Sequence, residues 1–488
     1  VTTNQVSGEV ARSAVARQRA THKEEALWLL EEFVPGTGVN NLSVAFRVEG
    51  RLRRPVLLET LTLLLRRHEV LRTVFRAGAE GLTRETLSPD QTALRIVEGE
   101  PGDGGARAWL TRFVAEPFGP DGRPLVRAAV VPEGSGEVFC LAVHHAVFDG
   151  LSSALLLGEF VSLYGTLASG AVPEPAAVAV VPAWREPAPN PASAEFWRGK
   201  LAGFRATELD LWCQKPDAAE TTLAGDVINH VLSPAARDAV RLMRRELRAP
   251  ESVVLLAAYG VLLAAHGAGP DLTIGSPVSV RTPEAAQTIG YHINVLTLRT
   301  PVDRAESFRK FVRLARRTFM EAMAHADYPV DDLLEAVERD ASSWRNNLFR
   351  HTFNYVPAAM DGEFVLDGQL ATAVVVENSS SKFDLEFFVT STPEDIKVRA
   401  AFYVDVLDRA DVELLLARYD DLLVTLARRP DEPLAEIQVW SGRDTEVIGA
   451  ANATDRPVKP TTVLESIARR VSASGAAESD SGRESETG

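Results

Sequence analysis

The segment from Glu137 to Gly150, EVFCLAVHHAVFDG, constrains the fold of this chain more than any other. Its apolar run reads as a β-strand, in which successive side chains point to opposite faces. Phe139, Leu141, Val143 and His145 then share one face, and Val138, Cys140, Ala142 and His144 the other, so the adjacent histidines point apart and do different jobs. The preceding run, LVRAAVVPE, is a second strand joined to the first through the turn-like EGSG, as in a hairpin. The following run, GLSSALLLGEFVSLYGTLASG, carries Leu, Phe and Tyr at helical spacing and ends in glycine, which predicts a helix from about Leu151.

Helices and strands mix along the rest of the chain. HKEEALWLLEEF predicts a helix, VNNLSVAFRVEG a strand, and PVLLETLTLLLRRHEVLRTVF a long amphipathic helix that opens on Pro55 and runs into a strand. The proline- and alanine-dense AVPEPAAVAVVPAWREPAPNPAS separates two halves, with the boundary near residue 187. The second half predicts helices at SPAARDAVRLMRREL, SVVLLAAYGVLLAAHG and SFRKFVRLARRTFMEAMAH, and strands at DVINHVLS, DLTIGSPVSV, FRHTFNYV and SKFDLEFFV. The expected division is a flexible stretch over 1–20, subdomains over 21–187 and 188–447, a linker-like segment over 448–471 and a disordered, acidic tail over 472–488.

Composition narrows the partners. A formal charge of −15 over 488 residues disfavours nucleic acid or an anionic membrane as the main partner. No run reaches the roughly 18 consecutive apolar residues of a membrane helix, and the polar, arginine-bearing start lacks the apolar core of a secretory signal. Cys140 and Cys213 are too few for a disulfide framework or a zinc quartet, and a reducing cytoplasm suits them.

His145 and Asp149 are both metal-ligand types, but the remaining histidines are scattered and no complete ligand set is offered. A buried histidine hydrogen-bonded in a core is the ordinary reading of His144. For His145 the aspartate and glycine that follow point to chemistry. Gly150 permits a close approach of backbone to substrate, and the helix behind it directs free N–H groups toward the same region.

HHAVFDG resembles the HHxxxDG signature of the condensation domains of nonribosomal peptide synthetases, within the wider chloramphenicol-acetyltransferase-like superfamily. The likeness runs along the chain: RHEVLRTVF (67–75), IGYHINVLTLR (289–299) and KFDLEFFV (382–389) are similar to further family segments. RDASSWRNNLFRHTFNYV (339–356) is similar to another, with two extra residues and Asn347 where proline is usual. Departures fall at THKEEALW, which keeps Leu27 and Trp28 but not the usual Ala-Gln pair or arginine, and at VVPAWREPA, where the family's YxDxAxW is not recognisable. Tyr291 and His292 replace the usual aromatic pair, and Val295 the usual threonine.

The resemblance implies a mixed α/β (α+β) fold: a V-shaped pseudo-dimer of two chloramphenicol-acetyltransferase-like subdomains with a central tunnel. It implies His145 as the catalytic imidazole, and Gly150 as the residue that keeps the tunnel open and offers its N–H to an oxyanion. His144 would be structural, Asp149 a scaffold residue paired with Arg281, and Tyr291 and Asn294 tunnel residues that meet substrate. The implied reaction moves an aminoacyl or acyl group from the 4′-phosphopantetheine thioester of a carrier protein to an amine or hydroxyl of a small-molecule acceptor, with no metal and no bound cofactor.

VIGAANATDRPVKPTTVLESIARR looks like the linker into an adenylation domain, and no such domain follows it in this sequence. The expectation is a free-standing enzyme that meets its acyl or peptidyl carrier in trans, similar to the ester-forming condensation enzymes of enediyne biosynthesis. Two other readings stay open: a catalytically silent recruitment domain on a synthetase line, and an acyl-CoA-dependent wax-ester or diacylglycerol-type acyltransferase. An acidic carrier would require a basic docking face on so acidic a chain. The densest is SFRKFVRLARRTF, with Arg309, Lys310, Arg313, Arg316 and Arg317, and Arg51, Arg53 and Arg54 form a rival patch.

Overall fold

In chain order the first half comprises β1 (Gln18–Arg19), α1 (His22–Phe33), β2 (Asn41–Val48), α2 (Arg54–Arg67), β3 (Thr73–Gly78), β4 (Gly81–Thr86), β5 (Ile96–Glu98), α3 (Gly105–Ala115), β6 (Val126–Glu133), β7 (Gly136–His144) and α4 (Gly150–Ala168). The short α5 (Pro175–Val178) and α6 (Pro191–Leu201) flank the expected boundary. The second half comprises β8 (Gly225–Val231), α7 (Pro234–Leu247), α8 (Glu251–Ala265), β9 (Asp271–Ser279), β10 (Ile293–Pro301), α9 (Phe308–Met323), β11 (His351–Pro357), β12 (Glu363–Leu366), β13 (Gln369–Val374), β14 (Leu385–Ser391), β15 (Ile396–Tyr403) and α10 (Arg409–Arg428). This computed structural model describes residues 17–79, 81–92, 94–183, 188–205, 209–216, 221–336, 345, 348–357, 362–453, 465, 467 and 470. Residue 187, Asn347, the first 16 residues, most of the linker-like segment after Ala453 and the whole tail lie outside the described residues.

Contacts divide the chain into two compact units, Val1–Val439 and Trp440–Gly488. The first contains two six-stranded sheets, ordered β12-β13-β2-β7-β6-β5 and β10-β9-β11-β14-β15-β8, and a three-stranded sheet β1-β4-β3. β6 and β7 form the expected hairpin, with Glu133 opposite Gly136 and Gly134 at φ +61° in the turn. β7 is buried along its whole length because helices cover both faces. Phe139, Leu141 and Val143 cluster with the apolar sides of α2 and α4, while Val138, Cys140 and Ala142 cluster with α3. A fully buried side chain of this kind contributes about 1.5–3 kcal/mol by leaving water, so the strand that carries the motif is held firmly from both sides.

α4 is 19 residues long, and an 18-residue window averages a hydropathy of 1.4, enough by length and composition to cross a bilayer. Its Leu156, Phe160, Leu163 and Tyr164 instead enter the core beneath β7. In the second half α8 is the central helix, buried from Val253 to Leu263, with Tyr259 stacked on Phe387 of β14 at 4.4 Å between ring centroids.

The two halves are not contiguous in sequence. β12 and β13 leave the second half and extend the first half's sheet, with Ala371 of β13 opposite Val48 of β2. On the way back Asn378 Nδ2 donates to the carbonyls of Gly38, Val39 and Asn41 at 3.1, 3.2 and 3.0 Å. A stretch expected within the second subdomain therefore completes the sheet that bears the histidines. The second unit contains α11 (Gly442–Asn452), opened by a capping box between Ser441 and Asp444.

Candidate active site

β7 ends at His144, the chain enters a 3-10 turn over His145–Val147, and Asp149 then caps α4. The alternation of faces therefore stops one residue earlier than the sequence pattern predicts. The histidines part because the backbone changes from strand to turn between them. Two bonds make the change: Ala146 N donates to His144 Nδ1 at 3.1 Å, and His145 N donates to Asn40 O at 2.8 Å.

His144 is fully buried. Its Nδ1 already accepts from Ala146, so the ring proton sits on Nε2, which donates to Glu31 Oε1 at 3.0 Å. The ring stacks on Trp28 at 4.3 Å and 8°. Burial pushes its pKa down, against the pull of the Glu31 carboxylate. Asn40 Nδ2 donates both to Glu31 Oε1 at 2.9 Å and to Leu27 O at 2.8 Å, which ties α1 to the same point.

His145 holds the opposite tautomer. Its Nδ1 lies 2.7 Å from the Phe148 carbonyl, which can only accept, so the proton sits there and the lone pair lies on Nε2. Loss of solvent, and after it the Lys382 ammonium, brings its pKa down to about 4, against the raising effects of the Phe148 carbonyl and Asp149. The imidazole is neutral at neutral pH. Tyr291 meets it edge-on at 4.9 Å, and Lys23 Nζ lies 5.1 Å from the Tyr291 ring centroid.

Asp149 and Arg281 form a bidentate pair, with both N–O distances 2.8 Å. The carboxylate also accepts from Ser152 N and Oγ, each at 2.8 Å, and from His292 N at 3.0 Å. Burial raises its pKa, but Arg281 and Ser152 outweigh that and hold it low. Ser152 Oγ also accepts from Gly290 N at 3.0 Å, so the first turn of α4 is fastened to the 281–292 loop from the other sheet.

Gly150, the first residue of α4, is exposed and has no positive φ, and a Cβ built there meets nothing within 4 Å. Neither backbone strain nor protein packing requires a glycine at this position. The Asn294 amide is taken up by backbone: Nδ2 donates to Ala326 O and Tyr328 O at 2.8 and 2.5 Å, and Oδ1 accepts from Val295 N and Val330 N at 2.9 and 3.1 Å. It clamps β10 to the segment after α9.

The basic side chains of α9, the docking face expected from the sequence, are partly paired, while Lys310 and Arg317 stay largely exposed. Arg309 pairs with Asp431 at 2.6 and 2.9 Å, Lys310 with Glu306 at 2.5 Å and Arg317 with Glu321 at 3.9 Å, and Arg316 donates to Arg248 O at 3.2 Å. In the rival patch Arg53 pairs with Asp367, and Arg54 with Glu98 and Glu137.

Sequence reasoning missed Glu31, Asn40, Ser152 and Lys382. Glu31 and Ser152 sit in helices whose periodicity reports only the apolar face, and Asn40 and Lys382 lie in the loops just before β2 and β14, where no periodicity applies. The retention of Trp28 was the one signal that α1 reaches the site.

Residues 18–448 match the sequence model of the family described as Condensation domain. The chain is 28% identical over 466 residues to a linear gramicidin synthase of Brevibacillus parabrevis, a match that covers 91% of this chain and 6% of that protein. It is 27% identical over 429 residues to tyrocidine synthase 3 of the same organism, over 86% of this chain and 6% of that protein. The chain thus spans a small part of each of these relatives. A four-domain nonribosomal peptide synthetase bound to AMP and glycine superposes with a TM-score of 0.76 at 16% identity, over 88% of this chain and 35% of the other. The first condensation domain of the calcium-dependent antibiotic synthetase, in complex with a substrate analogue, superposes with a TM-score of 0.70 at 21% identity, over 87% and 99%. The mixed α/β architecture is thus that of the chloramphenicol-acetyltransferase-like fold, and the chain belongs to the condensation-domain family.

Proposed function

We propose that this chain joins an acyl or aminoacyl group, delivered as the thioester of a carrier protein's 4′-phosphopantetheine, to an amine acceptor, forming an amide. One observation carries the reading: His145 is neutral, with Nδ1–H fixed on the Phe148 carbonyl and the Nε2 lone pair left for a reactant. The acceptor nitrogen attacks the thioester carbon, the C–S bond breaks, and the nitrogen's proton ends on the departing thiolate.

An imidazole whose conjugate acid has a pKa of about 4 is a poor proton sink for an ammonium but a good hydrogen-bond acceptor for a neutral amine. His145 therefore chiefly orients the nucleophile. Alignment of two reactants is worth about 7–11 kcal/mol, against about 3–5 kcal/mol for general-base help, so the weaker base loses the smaller contribution. In this proposal the Gly150 N–H donates to the developing oxyanion, Tyr291 walls the substrate beside His145, and Asn294 holds the segment it clamps. His144, Asp149 and Arg281 keep the turn and the start of α4 in place.

A hydroxyl acceptor at the same centre gives an ester, and we extend the proposal to that reaction. We extend it also to a separate carrier met in trans in the cytoplasm, and most narrowly to a step like the ester-forming condensations of enediyne biosynthesis. The intact HHxxxDG supports a working enzyme over a silent recruitment domain. The test presents matched acyl groups on a carrier protein and on coenzyme A, with amine and alcohol acceptors, and reads product by mass spectrometry. Carrier-dependent amide or ester is expected. Product from acyl-CoA alone replaces this reading with the wax-ester type, and no product from any donor favours the recruitment role.

A further inference from the structure

A cavity of about 770 Å³ opens at the β5–β6 edge of the first sheet, the edge opposite β12, and among the described residues its lining comes from those between Leu65 and Arg127. No residue of the HHxxxDG motif lines it. Its volume falls within the roughly 300–1,000 Å³ of small-molecule sites. The walls are aromatic: Trp109 and Phe113 of α3 stack at 5.4 Å and 16°, and the Arg127 guanidinium lies 4.1 Å from the Phe118 ring centroid.

The charges in this cavity do not balance. Arg123 is neutralised by Asp121 at 2.5 Å and Arg127 by Glu116 at 3.4 Å. Arg95 and Arg112 also line the cavity, and neither has an ion-pair or hydrogen-bond partner for its side chain among the described residues. Solvated arginines on a bare surface make no site. Here two uncompensated forks border one apolar hollow, on a chain whose formal charge is −15. A guanidinium matches a carboxylate or phosphate with two parallel hydrogen bonds, and the stacked rings suit a flat or acyl body.

We propose that this cavity is a second binding site, separate from the His145 centre, for an amphipathic anion: an apolar body that carries one carboxylate or phosphate. Phe118 meets His144 edge-on at 6.1 Å, so the occupant would sit one ring away from the motif.

The test is calorimetric titration of the whole chain with 2-naphthoate, its neutral analogue 2-naphthamide, and 4′-phosphopantetheine. It is repeated on the Arg95→Gln/Arg112→Gln variant. Saturable one-to-one binding of the acid is expected, on the order of tenfold weaker for the amide and on the order of tenfold weaker in the variant. Both arginines are exposed, so the variant should melt as the parent does. Displacement of naphthoate by 4′-phosphopantetheine identifies the anion as a carrier arm's phosphate, and failure to displace it identifies a free acid. Absence of saturable binding, equal affinity for acid and amide, or an unchanged affinity in the variant overturns the site. No turnover is read, so the outcome is independent of the condensation chemistry.

Discussion

Arg281 grips Asp149 through two hydrogen bonds of 2.8 Å, with side chains only 4% and 0% exposed, and in doing so joins the loop after β9 to the first turn of α4. The tie links the two six-stranded sheets directly beneath the turn that carries His145. Removal of either partner strands the other charge in the interior, at a cost of about 3–5 kcal/mol. Asp149→Ala should cost about 1 kcal/mol more than Arg281→Ala, because it also removes the cap of α4. Urea unfolding of both variants checks this, and a loss under about 1 kcal/mol for either would show that the pair is not a tie.

His145→Ala should lower turnover by roughly 10²–10⁴-fold with little change in melting temperature, since its ring makes one hydrogen bond to its own turn. Near-parent turnover with a verified carrier-bound donor is the result that removes His145 from the mechanism.

His144→Ala should act on stability instead. The ring is fully buried, fills the face of Trp28 and satisfies Glu31, so its loss leaves a cavity and strips a carboxylate of a donor. A cost of about 2–4 kcal/mol follows. An unchanged melting temperature together with collapsed turnover would mean that the two histidines have been assigned the wrong way round.

The pH profile separates an orienting imidazole from an ordinary base. With its pKa at about 4, His145 stays neutral from about pH 8 to 5, so with an alcohol acceptor, which does not itself titrate there, turnover stays level, whereas an unperturbed histidine would bring the fall to about 6.5; an amine acceptor adds its own fall as it is protonated. Stability has its own slope. His145, His292 and His351 are all lowered from 6.5 to about 4, so within that window the unfolded chain takes up protons that the folded chain refuses, and stability falls as pH drops. Asp331, raised to about 6, works in the opposite direction between about 6 and 3.8, as do Asp384 and Glu386, raised by burial, and His22, raised by Asp332; His144, lowered by burial, joins the first set, whose members all act from the unfolded value of 6.5 downward. The melting temperature should therefore be lower at pH 5 than at pH 7. His351→Gln, remote from the motif on the Leu209 carbonyl, should flatten that slope, and an unaltered slope contradicts the assignment.

What could be read from the sequence was whatever repeats or whatever forms a motif. Periodicity placed β6, β7 and α4, because each buries a regular set of apolar side chains. The pairing of Asp149 with Arg281 came from the family resemblance, since nothing local connects residues 132 positions apart. The strand exchange of β12 and β13 has no signature, because a short strand looks the same whichever sheet accepts it. The basic character of α9 was visible, but the pairing of its Arg309 with Asp431, on the chain beyond α10, was not. The tautomers of the histidines depend on single carbonyl and amide positions at the turn, which only the folded backbone supplies.

Gly150 gives the sharpest discrimination between packing and chemistry. A methyl group there meets no protein atom within 4 Å, and φ is in the ordinary range. Gly150→Ala should therefore leave the fold intact or stabilise it by about 0.4–1 kcal/mol, through a less flexible unfolded chain. If the empty volume belongs to the reactants, the same methyl group obstructs the carbon being attacked and misaligns the N–H aimed at its oxygen. Turnover should then fall by on the order of tenfold or more, with a smaller loss for an acetyl donor than for a bulky one. The paired measurement is a melting curve beside kcat and KM for both donors. A variant that melts as the parent does and turns over both donors at the parent rate would show that nothing approaches this end of α4.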